Sequence, residues 1–315
     1  MKRIFKTAIA VASLVTLSTG AFAADWTPPG PIKLMIAFGA GGGADTQARM
    51  IAEEIEAANG WKIIPEQVTG KGGLNTVNAL KDAPKDGTAI GMIVTETLGY
   101  NLAAANAGDP SVATAITTTA GSQMAVVSLS SKGYKTLADV IAAAKGGEDI
   151  RFGVMSPSLA DLAYVIGKEN GVEFNIISVR GGKAVMNGLN AGDMDVGFGA
   201  GIQAKAVAAG DMVELASAKS GPLAATPEAP NLMDFGVNFP NDTMFMFAGP
   251  SGMDPAARDA IAAAIAEVIS AEGSKAGGFI NKAFGGLDVR SGDALDALIA
   301  KAYEDAGALL EASAE

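Results

Sequence analysis

The 315-residue sequence contains no cysteine and no histidine. Without thiols there are no disulfides, thiolate metal sites or cysteine nucleophiles, and without imidazole there is no histidine-dependent catalytic triad. Positive charge is the scarcer sign. Lysine and arginine total 23 against 34 acidic residues, for a net charge of −11, which argues against a fold-wide basic surface for nucleic acid. Apolar residues make up 49% and charged residues 18%, a balance that excludes disorder. The 40 glycines follow no three-residue period, which excludes collagen and implies many tight loops. The length suits about two domains.

The N-terminus reads as an address. Lys2, Arg3 and Lys6 are followed by an apolar stretch from Ala8 to about Leu17, then by the small-residue pattern Ala21-Phe22-Ala23. This is the layout of a secretory signal peptide covering residues 1–23, with cleavage expected after Ala23. The apolar stretch is too short to span a bilayer comfortably, and no later run of about 18 apolar residues would stop transfer. No cysteine is available for a lipid anchor. The mature chain is expected to be soluble outside the cytoplasm, where diffusible nucleotides and nicotinamide cofactors are scarce.

The mature chain alternates strands and helices. Ile32–Phe38, Ile63–Val68 and Ala89–Val94 read as strands. They are separated by Gly39–Gly43 with a helix to Ala58, and by Gly70–Gly73 with a helix to about Lys81. This βαβαβ pattern predicts a mostly parallel sheet flanked by helices. Met124–Leu129, Ile150–Val154, Phe174–Val179, Val196–Gly199 and Val213–Ala216 predict a second α/β unit. After a loop-like stretch from Ala225 to Pro240 come a strand at Met244–Ala248 and two helices. The first of these is capped by Asp254-Pro255.

The candidate chemistry lies in the strand-to-helix loops. Gly39-Ala40-Gly41-Gly42-Gly43-Ala44-Asp45 brings backbone amides to a helix N-terminus, an arrangement suited to phosphate or carboxylate. Asp45 either caps that helix or accepts a bond from a ligand hydroxyl or ammonium. Gly39, Gly41 and Ala44 also match G-x-G-x-x-A, with Glu66 closing the next strand. That leaves open a nucleotide-dependent enzyme. Gly70-Lys71-Gly72-Gly73 repeats the arrangement, with Lys71 as either an added positive charge or a solvated lysine. Ser156-Pro157-Ser158 opens a helix, where a serine caps it or donates to an anion. Arg180-Gly181-Gly182 offers a guanidinium that suits a carboxylate or a surface ion pair. Asp193 and Asp195 read as turn residues, with no third metal ligand nearby. These loops supply donors and a few cations but no prominent acid–base pair, which favours holding an anion over transforming one.

The order of these motifs resembles the substrate-binding proteins of tripartite tricarboxylate transporters, the TctC or Bug family. It is carried by Ile32–Asp45 with its GGGAD string, Gly70–Gly73, Asp86-Gly87, Ser156–Ser158, Arg180–Gly182, Gly188–Phe198 and Phe247–Pro250. The resemblance implies a two-lobed α/β fold of the type II-like periplasmic binding kind, mostly parallel sheets flanked by helices with a cleft between the lobes. It implies a non-enzymatic carrier, without metal or cofactor, that captures a small organic acid and delivers it to membrane permease subunits. A monomer suits such a shuttle. Carried onto this sequence, Phe38–Asp45 and Gly70–Leu74 (Leu74 included) become the carboxylate clamp. Thr95 and Thr97 line the cleft floor, and Ser156–Ser158 and Arg180–Gly182 come from the other lobe. Lobe 1 is expected to hold 24–125 and 218–315, and lobe 2 to hold 126–217, with hinges near 121–129 and within 213–248. Two departures stand out. Gly39-Ala40 replace the prolines many members carry, and Lys71 replaces a small residue, which would favour a di- or tricarboxylate. Presentation of the ligand to a signalling receptor instead of a permease is the alternative within the same reading.

Overall fold

The computed structural model describes residues 26–314, so the expected signal peptide lies outside the described residues. The chain builds two five-stranded sheets. The first contains β1 (Ile32–Ile36), β2 (Ile63–Gln67), β3 (Ala89–Val94), β4 (Ala113–Gly121) and β10 (Met244–Pro250), in the order β2-β1-β3-β10-β4. The second contains β5 (Ala125–Leu129), β6 (Arg151–Val154), β7 (Asn175–Ser178), β8 (Val196–Gly199) and β9 (Met212–Ser217), in the order β7-β6-β8-β5-β9. In each sheet four strands run one way. The fourth in spatial order runs against them: β10 is antiparallel to β3 and β4, and β5 to β8 and β9. The sheets are therefore mixed, with parallel pairing confined to β2-β1-β3 and β7-β6-β8.

Both faces of each sheet are covered, as parallel strands require. Along β1, Ile32, Leu34 and Ile36 face one apolar cluster, while Met35 faces another. In β5, Val126 enters the cluster containing Phe152 and Phe198, and Val127 the one containing Val185 and Leu189. Helix α1 (Gly43–Asn59) presents Ala48, Ile51, Ala52 and Ile55 to the first sheet at the expected spacing. The last helix, α11 (Gly292–Ala314), packs Leu295 and Ile299 against the first lobe and Leu309 and Ala312 against the core of the second.

Strand β4 has no counterpart among the strands predicted from the sequence. Its Ala/Thr composition (ATAITTTAG) carries little hydrophobic signal, yet Thr117, Thr118 and Thr119 are fully buried. Partners elsewhere in the lobe make this possible: Thr118 donates to the Asp288 carbonyl at 2.7 Å and Thr119 to Gln47 Oε1 at 2.6 Å.

Asp195, expected as a turn residue, instead joins segments distant in the sequence. It accepts from the Arg151 backbone N–H, from the Arg151 guanidinium at 2.9 Å and from Lys132 Nζ at 2.6 Å, tying β6 and β8 to the turn after β5. Burial alone would raise its pKa, but the Arg151 and Lys132 hydrogen bonds win and hold the carboxyl far below the usual range. A depressed carboxylate contributes stability that is complete above its unfolded value, about 3.9, and lost as pH falls through the folded value. Asp195→Asn is therefore expected to lower the urea midpoint at pH 7. The gap from wild type should shrink steadily below about pH 4. An equal gap at pH 7 and pH 2.5 would contradict the assignment.

Candidate functional site

The strand directions decide where loops gather. The carboxyl ends of β1, β3, β6 and β8 and the amino ends of the reversed β5 and β10 meet between the two sheets. The residues just beyond those ends line a cavity that is open at its mouth.

Three helix N-termini reach it: Gly42, Gly43 and Ala44 at α1, Ser156 and Leu159 at α6 (Pro157–Asn170), and Gly181 and Gly182 at α7 (Gly182–Ala191). First-turn N–H groups have no intrahelical acceptor, and the helix dipole adds partial positive charge there. The walls are apolar, from Phe38, Val94, Met124, Met155, Ile202, Phe245 and Phe284. The polar side chains are few: Glu96, Ser122, Ser156 and Thr243, with no lysine or arginine among the described lining residues. The lobes touch at one edge of the cavity. A side chain on Gly39 would lie 3.0 Å from the Arg180 carbonyl oxygen. A second cross-lobe tie joins the Tyr100 hydroxyl, in α4 (Tyr100–Ala104), to the Asp161 carboxylate on α6. Burial first, and donation to Asp161 second, push the Tyr100 phenol above its ordinary pKa. The short crossing between β4 and β5 is pinned by Gln123, which donates to the Phe284 carbonyl and accepts from Ala224 N–H, each at 2.8 Å.

The expected site residues divide. Phe38, Gly39, Gly42, Gly43, Ala44, Ser156, Gly181 and Gly182 line the cavity together. Ala40 and Gly41 lie on the exposed side of the first loop. Asp45 turns away from the cavity. Its carboxylate accepts from Gly41 N–H and Arg49 Nε, both at 2.8 Å, and from Gln67, so it organises the loop from behind. Pro157 is exposed, Ser158 is buried outside the lining, and the Arg180 side chain is exposed, leaving only that residue's backbone against Gly39.

The second glycine loop, Gly70, Lys71, Gly72, Gly73 and Leu74, stands outside the lining of this cavity. Gly70, Lys71, Gly72 and Gly73 all have positive φ. The loop is shaped by its own scaffold: the Gly72 carbonyl accepts from Thr97 Oγ1 at 2.8 Å and Asn101 Nδ2 at 3.1 Å. Lys71 is exposed. Thr97 is thereby spent on that loop, and Thr95 Oγ1 accepts from Met244 N–H at 3.0 Å, joining α3 (Thr95–Leu98) to β10. Neither threonine lines the cavity; Glu96 between them does. Successive residues on a helix point about 100° apart, so the helical turn after β3 was the signal that could have separated Glu96 from its neighbours. Ser122 and Thr243 were equally unread, because they lie at the ends of the connections between the sheets and belong to no motif. Glu66, the acidic residue of the dinucleotide fingerprint, pairs with Lys33 at 2.8 Å on the outer surface and does not line the cavity.

Over residues 47–309 the sequence matches the family model described as "Tripartite tricarboxylate transporter family receptor". The chain belongs to this family. A curated relative, the UPF0065 protein in gbd 5'region of Cupriavidus necator, is 26% identical over 238 residues, covering 74% of this chain and 72% of that one. Among solved structures, MatC from Rhodopseudomonas palustris with bound malate superposes with a TM-score of 0.76 at 18% identity, covering 91% of this chain and 100% of that one. An R. palustris protein with adipate gives 0.79 at 16% identity, covering 92% and 99%. The two-lobed architecture is thus that of the periplasmic binding proteins. Among the described residues, no helix is long and apolar enough to cross a membrane.

Proposed function

We propose that this tricarboxylate-transporter receptor homologue is an exported solute-binding protein. It captures a small organic acid between its lobes and hands it, chemically unchanged, to membrane permease subunits. The observation that carries this reading is the convergence of three helix N-termini on one apolar, cation-free cavity. Oriented backbone amides neutralise a carboxylate without a lysine or arginine. The apolar walls accept a short carbon skeleton, and the amides supply orientation. The malate and adipate in the two R. palustris structures support the same ligand class. Residues 122–124 and 218–243, the two connections between the sheets, are read as the hinge, with closure bringing Gly181 and Gly182 onto an acid already held by Gly42–Ala44.

The test is a thermal-shift screen of the chain from Ala24 with mono-, di- and tricarboxylates, amino acids and nucleotides. A ligand at about a hundred times its Kd adds roughly 2.7 kcal/mol, a visible rise in Tm. A shift with acids is expected. A shift with nucleotides while every acid is silent would overturn the carrier reading.

A further inference from the structure

The amide-lined wall explains how a carboxylate is held but leaves an acidic side chain in the same cavity. Glu96 is 8% exposed and is the sole ionisable side chain among the described lining residues. Its Oε1 accepts from Asn101 Nδ2 at 3.2 Å, and its Oε2 accepts from Asn241 Nδ2 at 3.0 Å and Thr243 Oγ1 at 3.3 Å. These donors are neutral, the Thr243 bond is long, and no lysine or arginine among the described residues forms an ion pair with it. A buried carboxylate without a cation is costly. A ligand carrying only carboxylates would add a like charge to that cost.

Ser122 supplies a second, independent sign of a missing partner. It is 2% exposed, its hydroxyl has no hydrogen bond, and it lines the same cavity. Its backbone N–H donates to the Thr243 carbonyl at 2.8 Å, which places it beside the residue whose hydroxyl reaches Glu96. The cavity therefore offers partial positive charge at the helix N-termini, and an anionic acceptor with a free hydroxyl at Glu96 and Ser122.

We propose that the ligand is an organic acid that also bears a cationic nitrogen with N–H donors, such as a protonated amine, and that Glu96 is the residue that selects it. Resting on the carrier reading above, the assignment puts the ligand carboxylate on the amides of the first glycine loop. The ammonium lies against the Glu96 carboxylate, with Ser122 Oγ as a further acceptor. Glu96 then discriminates in two ways: it completes the zwitterion's charges and repels a second carboxylate.

The test compares acids of one chain length, using titration calorimetry on wild type and Glu96→Gln. Glutarate and valerate serve as the cation-free probes. 5-Aminovalerate and the α-amino acids norvaline and glutamate serve as the zwitterions. Wild type is expected to bind at least one zwitterion ten-fold or more tighter than either cation-free acid. Glu96→Gln should lose ten-fold or more for that zwitterion and bind glutarate as well as or better than wild type. Tight wild-type binding of glutarate or valerate with no zwitterion preferred would overturn the selection by Glu96 and leave the carrier reading intact. Equal weakening of all probes by Glu96→Gln would reduce Glu96 to a structural tie. Silence of every acid, with or without nitrogen, would overturn both. If Glu96→Gln fails to fold, the wild-type preference decides alone.

Discussion

Gly43→Val is expected to weaken binding of the acid by about 100-fold or more, a loss of roughly 2.7 kcal/mol. Gly43 opens α1 and lies in the cavity wall. A Cβ there would sit 2.9 Å from Phe284 Cζ and 3.1 Å from Ile202 Cγ2, and Ile202 belongs to the opposite lobe. Valine adds two methyl groups beyond that Cβ. They would fill the space where a ligand meets the α1 amides and wedge the lobes apart as they close. The backbone at Gly43 is not in the left-handed region, so the helix itself accepts a side chain, and overpacking costs about 1–3 kcal/mol of stability. Calorimetry with the acid found by the thermal-shift screen, read beside the Tm, separates the two effects. Gly278→Ala is the control, because it lies in helix α10 (Lys275–Phe284) with nothing within 4 Å of its added methyl. Undiminished binding by Gly43→Val would place the ligand somewhere other than the α1 terminus.

The second large effect concerns the lobe that supplies the other wall. Phe152→Ala is expected to cost about 3–5 kcal/mol, the usual range for removing a buried phenylalanine. Phe152 is fully buried in β6, with its ring 5.0 Å from that of Phe198 and 5.4 Å from that of Phe174. Its neighbours are held by strand pairing on both sides, β7 and β8, and cannot collapse into the vacated volume. Urea unfolding should show a lower midpoint with an unchanged slope. If the lobes unfold separately, only one of two transitions should move. A loss under about 1 kcal/mol would mean that the site relaxes freely.

Much of the fold could be read from the sequence where physics marks it locally. Ile32–Ile36 and Ala89–Val94 are short apolar runs between glycine loops, and Asp254-Pro255 caps its helix as expected, with Asp254 accepting from Ala256 N–H at 2.8 Å. Elements stabilised by distant partners gave no such mark. The threonines of β4 depend on the Asp288 carbonyl and Gln47, and no pattern within Ala113–Gly121 announces them. The site divides the same way. Glycine and serine at helix N-termini were recognisable because the chemistry lies in the backbone of a contiguous motif. Glu96, Ser122 and Thr243 meet only because a strand from late in the chain runs against its neighbours. The second glycine loop is a contiguous motif as well, and it stands outside the cavity lining. Its four positive-φ residues signal a tight backbone, and that tightness serves Thr97 and Asn101.

The place of β10 has a consequence for how the protein comes into being. The second sheet is built entirely from one continuous span, Ala125–Ser217. The first has its fourth strand supplied by residues 244–250, inserted between β3 and β4. A chain synthesised from its N-terminus can finish the later sheet while the earlier one still has a gap in its middle. Until β10 arrives, β3 and β4 present unpaired edges, and the pairing that closes them joins residues far apart in the chain, Phe245 with Val94 and Met244 with Gly121. Such non-local closure is slow. The half that is made first is thus completed last.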